Sequence, residues 1–256
     1  MRICVLSSGS KGNCTVISTD KVNVLIDIGT TCSYVENSLK NNKIECNDIK
    51  HILITHNHAD HIKGLKVFIK KYNPILHVTK KLKDVLEKDI GKFRYEIFED
   101  RMCIIDDLIV KTIKTSHDAD DSVGFIIKHN SSSLVYITDT GYINSKYFDD
   151  LSNNTVYILE SNHDVKMLKE GPYPYYLQQR VISDKGHLSN KQASGYLCKF
   201  IGDNTKKIVF AHISEHNNTV EKVIETFNNE LKKNNMKFDN IMIAKQNECT
   251  EVIEVW

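Results

Sequence analysis

The chain has 256 residues, 41% of them hydrophobic, and its 34 Lys and Arg nearly cancel 33 Asp and Glu to leave a formal charge of +1. That is enough apolar material for a sizeable core, in one large domain or two small ones. It is too little net charge for a protein that coats nucleic acid through its overall field, so any polyanion must be held at a local site. The seven cysteines (Cys4, Cys14, Cys32, Cys46, Cys103, Cys198 and Cys249) are scattered, odd in number and without a C-x-x-C pair. They point to buried thiols in a reducing compartment, not to a disulfide framework or zinc ribbon. The opening MRICVLSSGSKGN has an apolar run of four, too short for a signal peptide, and no stretch approaches the roughly 18 apolar residues of a membrane span. The expectation is a soluble, cytoplasmic protein with no membrane partner.

In chain order, RICVL (2–6), CTVIS (14–18) and VNVLID (22–27) predict strands, rich in Val and Ile and bounded by Gly or Asp. CSYVENSLKNN (32–42) predicts a helix and HILIT (51–55) a buried strand. From His58 to Tyr72 the apolar Ile62, Leu65, Phe68, Ile69 and Tyr72 recur at three- and four-residue spacing, which predicts one amphipathic helix. PILHVT (74–79), a helix over TKKLKDVLEKDI (79–90), and the strands YEIFE (95–99), MCII (102–105) and LIVKTIKT (108–115) follow.

The second half repeats the style. VGFIIKH (123–129) and LVYITD (134–139) predict paired strands, and TVYILES (155–161) another. The loop GPYPYY (171–176) leads into a helix near LQQRVI (177–182). SNKQASGYLCKFI (189–201) is a helix whose Ser189 and Gln192 match a capping box. KIVFAHI (207–213) is a strand, Asn218 and Glu221 mark the start of a helix over 219–235, and IMIAK and EVIEVW close the chain as strands. Two strand-rich halves, each followed by helices and joined without a linker, predict a four-layer αββα sandwich in a single domain over 1–256.

Chemistry concentrates in ITHNHADHIKG (54–64), where His56, His58, Asp60 and His61 fall just past an apolar run. Imidazole and carboxylate suit a borderline cation. His56 and His58 alternate by two and point to one side, while Asp60 and His61 sit where the chain turns into a helix, so one segment can serve two metals. More ligands are needed, and His117, Asp139 and His212 each stand at the end of a predicted strand. Their burial there would be costly without a compensating charge.

ITHNHADHIKG, with His117, Asp139 and His212 downstream, resembles the metallo-β-lactamase superfamily. LSSGSKGN (6–13), LESNHD (159–164), GPYPYYLQQRVISDKGHLSN (171–190) and FAHISEHNNT (210–219) are similar to its WalJ (YycJ) group, over essentially the whole chain. The resemblance implies the αββα metallo-β-lactamase sandwich, two divalent metal ions, a 5′-to-3′ DNA exonuclease activity and a role near DNA repair. It implies that His56, His58 and His117 hold one metal, that Asp60, His61 and His212 hold the second, and that Asp139 bridges them. His187 competes with His212 for its place; His212 is preferred because it follows a clear strand. Mixed N/O ligation fits zinc, manganese or iron alike.

Two cations about 3.5–4 Å apart activate a shared water as hydroxide, with Asp60 orienting it. His187, at the mouth of the helix capped by Ser189, is the expected group to protonate the leaving alkoxide. Ser10 and Asn13 in the glycine-bearing loop, Ser189 at the helix start, and Arg180 as a bidentate phosphate fork are the expected substrate contacts, alongside a basic face (Lys63, Lys66, Lys70, Lys71) and stacking tyrosines (Tyr173, Tyr175, Tyr176). Asp27 is expected to support or turn, not to ligate; His163 to support the ligands. His51, His77, His129 and His216 are expected as ordinary surface or core histidines, and Cys14 as core. The substrate reading is DNA, single-stranded or at ends, with a protein partner still to be identified. A thioester, lactone or amide in the same dinuclear site is the alternative.

Overall fold

The computed structural model describes residues 1–256. Fourteen strands form two seven-stranded sheets, ordered β14-β1-β2-β3-β4-β5-β6 and β13-β12-β11-β10-β9-β8-β7. The first holds β1 (Arg2–Ser7), β2 (Cys14–Ser18), β3 (Asn23–Ile26), β4 (Ile49–Leu53), β5 (Ile75–Val78), β6 (Arg94–Ile97) and β14 (Ile253–Glu254). The second holds β7 (Met102–Ile105), β8 (Leu108–Lys114), β9 (Val123–His129), β10 (Ser132–Ile137), β11 (Val156–Glu160), β12 (Lys207–Ala211) and β13 (Ile241–Ile243). Within the sheets β3-β4-β5-β6 and β10-β11-β12-β13 run parallel. Parallel strands are buried on both faces, and the near-continuous apolar runs of β11 and β12 show that directly.

The strand period of two builds three apolar layers. Ile3 and Val5, Val156 and Ile158, and Val209 and Ala211 face the other sheet and form the central layer with Phe125 and Leu134. Their neighbours Cys4 and Leu6 face outward, onto α1 (Cys32–Asn41), α3 (Leu65–Tyr72) and α4 (Lys80–Ile90) through Val35, Leu39, Phe68 and Leu82. Tyr157, Leu159, Ile208 and Phe210 face the opposite way, onto α5 (Phe148–Leu151), α8 (Asn190–Phe200) and α9 (Val220–Lys233) through Leu151, Leu197, Phe200 and Phe227. The layer order is therefore helices, sheet, sheet, helices, as the pattern predicts. Cys14 is fully buried in the first helix-facing layer. No helix is long and apolar enough to cross a membrane.

Two local expectations change. The single helix over 58–72 is α2 (Ala59–Ile62) followed by α3, interrupted at Lys63–Gly64. The carbonyls that should continue the ladder are taken by neighbours: Asp60 O accepts from Asn13 N at 2.8 Å and His61 O from Ile28 N at 2.9 Å. Gly64 packs so closely that a Cβ would lie 2.4 Å from Thr30 O. The start of α9 is capped by Thr219, whose hydroxyl accepts from Lys222 N at 3.2 Å. Asn218 is buried instead, bridging Asn190 and the carbonyls of Ser161 and Asn162. The remaining helices are α6 (Val165–Glu170) and α7 (Tyr175–Ile182).

Candidate metal centre

The carboxyl ends of the parallel strands meet along one rim, the usual place for a site in open α/β sheets. β3 delivers Asp27 and β4, through Ile54 and Thr55, delivers His56. From the other sheet, β8 leads to His117, β10 to Asp139, β11 ends in Glu160 and β12 leads to His212. Glu160 pairs with Ala211 in register, which sets His212 one step beyond it. Asp27, Asp139 and His212 adopt left-handed backbone, with φ of 60°, 57° and 51°. Asp, Asn and His adopt this conformation more readily than most residues, and eight other non-glycine residues of the chain share it away from the rim. At Asp27, Asp139 and His212 it turns the chain sharply so that each side chain points across the rim. Gly29 permits the approach of the histidine-bearing loop, because a Cβ there would sit 1.6 Å from Asp60 O.

Three ligand-type groups result: His56, His58 and His117; Asp60, His61, Asp139 and His212; and Asp139, Glu160, His187 and His212, each with its ligand atoms within 4.8 Å of one another. Hydrogen bonds fix which ring nitrogens are free. Thr55 donates its hydroxyl to Asp27 Oδ2 at 2.7 Å, so towards the rings it can only accept. His56 Nδ1–H donates to Thr55 Oγ1 at 3.0 Å, and His61 Nδ1–H to Asp27 Oδ2 at 2.7 Å. His117 Nδ1–H donates to Gly186 O at 3.2 Å. In all three rings that tautomer puts the lone pair on Nε2, as a metal-ligating histidine needs. His56 Nε2 has no partner, His61 Nε2 lies 3.1 Å from the Asn13 amide and His117 Nε2 3.2 Å from His58 Nδ1.

The donor set fits cations. His56 Nε2 and Asp139 Oδ2 are buried without any hydrogen-bond partner, and unpartnered polar atoms are expensive in a protein interior. His61 Nε2 lies 3.0 Å from Asp139 Oδ2, a lone pair facing an anionic oxygen. Asp27, Asp139 and Glu160 are almost wholly buried. Without metal this negative charge draws protons onto two of the rings, His212 and His61, whereas burial lowers His56 and His117. Burial alone would lower His212, yet Asp139, Asp60 and Glu160 push it up to about 10. Burial likewise opposes a rise in His61, and Asp139, Asp27 and Asp60 outweigh it and raise that pKa. Divalent cations held by His56, His58 and His117 and by Asp60, His61, Asp139 and His212 would replace those protons.

Above this floor lies a cavity of about 220 Å³, lined by Ser10, Asn162, Tyr173, Leu177, Arg180 and His187 among others. His187 faces it from the start of α8. Its Nδ1 is 3.0 Å from Glu160 Oε2, and its ring stacks on His212 with centroids 5.1 Å apart. Glu160 is also held by the backbone N–H groups of Thr140 and Leu188. Burial would raise its pKa, and the His187 hydrogen bond keeps it below the carboxylate range instead. Sequence reasoning passed over Glu160; the available signal was an acid closing the apolar run VYIL. It also passed over Asp118, which binds Arg180 Nε at 2.5 Å.

Two expected substrate contacts are corrected. Asn13 is 1% exposed; its amide is used on Gly9 O and Asp60, and lies 3.1 Å from His61 Nε2, so it braces the ligand loop. Ser189 is 4% exposed, and its hydroxyl completes the capping box with Gln192, leaving no face for a substrate. Ser10 and Arg180 do line the cavity. His163 is buried and anchors α8 through its carbonyl to Asn190 N. Among the other histidines, His51 pairs with His77, His129 with Asp107, and His216 packs edge-on to Tyr173.

Residues 8–179 match the family described as the metallo-beta-lactamase superfamily. The chain is 35% identical over 227 residues to exodeoxyribonuclease YycJ of Bacillus anthracis, covering 86% of this chain and 85% of that protein. It is 34% identical over 233 residues to exodeoxyribonuclease WalJ of Streptococcus pneumoniae serotype 2, covering 89% and 87%. Among solved structures, the metallo-beta-lactamase fold protein YhfI of Bacillus subtilis superposes with a TM-score of 0.73 at 15% identity, covering 98% of this chain and 99% of that one. The short form of human tRNase Z does so with 0.66 at 14%, covering 98% and 99%. The chain therefore belongs to the metallo-beta-lactamase superfamily of metal-dependent hydrolases, in the group of YycJ and WalJ.

Proposed function

We propose that this protein is a phosphodiesterase that degrades DNA from its ends in the 5′-to-3′ direction, preferring single strands, in the cytoplasm and in the service of DNA repair. The observation that carries the reading is the likeness, over most of both chains, to two proteins named exodeoxyribonucleases. The surroundings of the cavity agree with it. Arg180 supplies a guanidinium at the mouth. Tyr175 and Tyr176, about three-quarters exposed at the start of α7, offer rings for unpaired bases. Lys63, Lys66 and Lys70 are exposed beside the ligand loop, whereas Lys71 is paired with Glu36 at 2.8 Å.

Two divalent cations, bound by the seven ligands, would supply an activated water and charge neutralisation at phosphorus. Asp60, 3.4 Å from His212 and partly exposed, orients the attacking water from the cavity floor. His187 delivers a proton from Nε2 to the leaving oxygen while Glu160 holds Nδ1 and stabilises the imidazolium. His117 and His61 are held in register by Gly186 and Asp27.

The test is incubation of 5′-labelled single-stranded DNA with the metal-loaded protein and Mn²⁺, with Asp60→Ala as control. Small labelled products released by the wild type alone are expected. Hydrolysis of a thioester or lactone with DNA left intact would replace this reading with the small-molecule one.

A further inference from the structure

One carboxylate at the cavity mouth spans two parts of the site. Asp118 Oδ2 accepts from Arg180 Nε at 2.5 Å, while its Oδ1 lies 3.4 Å from His117 Nε2 and 3.8 Å from His58 Nε2. His117 Nε2 carries the lone pair when Nδ1–H bonds Gly186, and it lies 3.2 Å from His58 Nδ1. The carboxylate therefore reaches from the His56–His58–His117 group to the one guanidinium that lines the cavity. A carboxylate and a phosphate offer a guanidinium the same pair of anionic oxygens in the same fork. The Asp118 side chain is 29% exposed and that of Arg180 55%, and ion pairs so open to water hold together weakly.

We propose that Asp118 is a resident stand-in for a substrate phosphate: it occupies Arg180 beside the His58 and His117 nitrogens and gives the guanidinium up to the phosphoryl group of an incoming nucleotide end. This rests on the phosphodiester reading above and adds to it a specificity device. The pair keeps Arg180 aimed over the centre when the site is free. A neutral ester gains nothing from the exchange, because it cannot replace the anion that Arg180 loses. A phosphorylated end can. Since Asp118 stays ionised after displacement, it opposes the incoming charge, and removing that charge tightens phosphate binding.

The test is calorimetric titration of the metal-loaded protein with thymidine 5′-monophosphate, and with thymidine as the phosphate-free probe. Asp118→Asn should bind the monophosphate roughly tenfold more tightly than wild type, with thymidine unchanged and metal content unchanged. Asp203→Asn removes the same charge from an exposed turn between α8 and β12 and should leave affinity as it was, separating contact from overall field. Arg180→Ala should weaken the monophosphate and erase the gain from Asp118→Asn when the two are combined. Weaker or equal binding in Asp118→Asn, a matching gain in Asp203→Asn, or loss of a metal equivalent from Asp118→Asn would overturn the assignment. If the monophosphate pattern holds and DNA is not cut, the nuclease reading fails alone; if DNA is cut and no variant alters monophosphate binding, this one fails alone.

Discussion

At the scale of single residues, the centre depends on protons being in the right place before any cation arrives. Asp27 shows this most directly. It is fully buried and both its oxygens are engaged: Oδ1 accepts from Thr55 N at 2.9 Å, and Oδ2 accepts from His61 Nδ1–H and the Thr55 hydroxyl, each at 2.7 Å. Through Thr55 it also orients His56. An amide at the same position would present either an N–H to His61 Nδ1, forcing the other tautomer, or a weaker acceptor. Asp27→Asn should therefore reduce metal affinity about 10- to 100-fold while the protein stays folded, measured by competition with a chromogenic chelator. An unchanged affinity would mean that His61 is oriented by packing alone. The sequence showed the candidate ligands far better than the groups that would hold them. His56, His58, Asp60 and His61 stand together in one segment, whereas Asp27 and Glu160 each end an ordinary-looking strand and meet their partners only through the fold.

At the scale of elements, strand positions were legible because each strand alternates two apolar faces between two different layers, and the helices because their apolar residues recur at helical spacing. What was not legible was competition for backbone groups. The break between α2 and α3 comes from Asn13 and Ile28 taking carbonyls that a helix would use itself, and no local pattern announces that. Ser189 shows the same limit for function: its cap role was legible, its burial was not. Ser189→Ala should cost about 1 kcal/mol of stability through the lost cap, seen in urea unfolding, and leave the KM for DNA unaltered; a raised KM would restore it as a substrate contact. The strand pair β4 and β5 carries a second prediction. His77 is buried on β5, hydrogen-bonded to His51 on β4 at 2.9 Å, with its Nδ1 unpartnered. Burial, with help from His51, lowers its pKa from 6.5 to about 4. The folded state then binds fewer protons than the unfolded chain between these values, so stability is full above pH 6.5 and falls as the pH drops towards 4. The loss is about 3 kcal/mol. His77→Gln should flatten that part of the stability–pH curve relative to wild type; a parallel curve would show that other groups carry the acid sensitivity.

At the scale of the whole molecule, the two sheets are held together by an apolar layer in the middle and by a charged centre at one rim. Asp27, His56, His58, Asp60 and His61 come from the first sheet's side; His117, Asp139, Glu160, His187 and His212 come from the second. A metal held by His56, His58 and His117, or by Asp60, His61, Asp139 and His212, would join residues from both. The apolar layer gains by closing the sheets, but the rim does not: Asp139 and Glu160 bring buried negative charge against Asp27 and Asp60, with His61 and His212, whose pKa values are raised, as the buried counter-charge when cations are absent. Cations bound there would act as cross-braces, and their binding free energy would belong to the folded state. One site held at a hundredfold excess over its Kd adds about 2.7 kcal/mol, which for a chain of this size is a rise in Tm of roughly 5–10 °C. Chelation should lower the Tm by at least that much and should make hydrogen exchange faster first in the 54–64 segment and the residues after β8, β10 and β12, while the central layer stays protected. Readdition of Zn²⁺ or Mn²⁺ should restore both. If chelated protein melted at the same temperature with unchanged exchange along the rim, the centre would be a passive guest of a fold already complete, and the hydrogen-bonded holders of its ligands would have to be explained by catalysis alone.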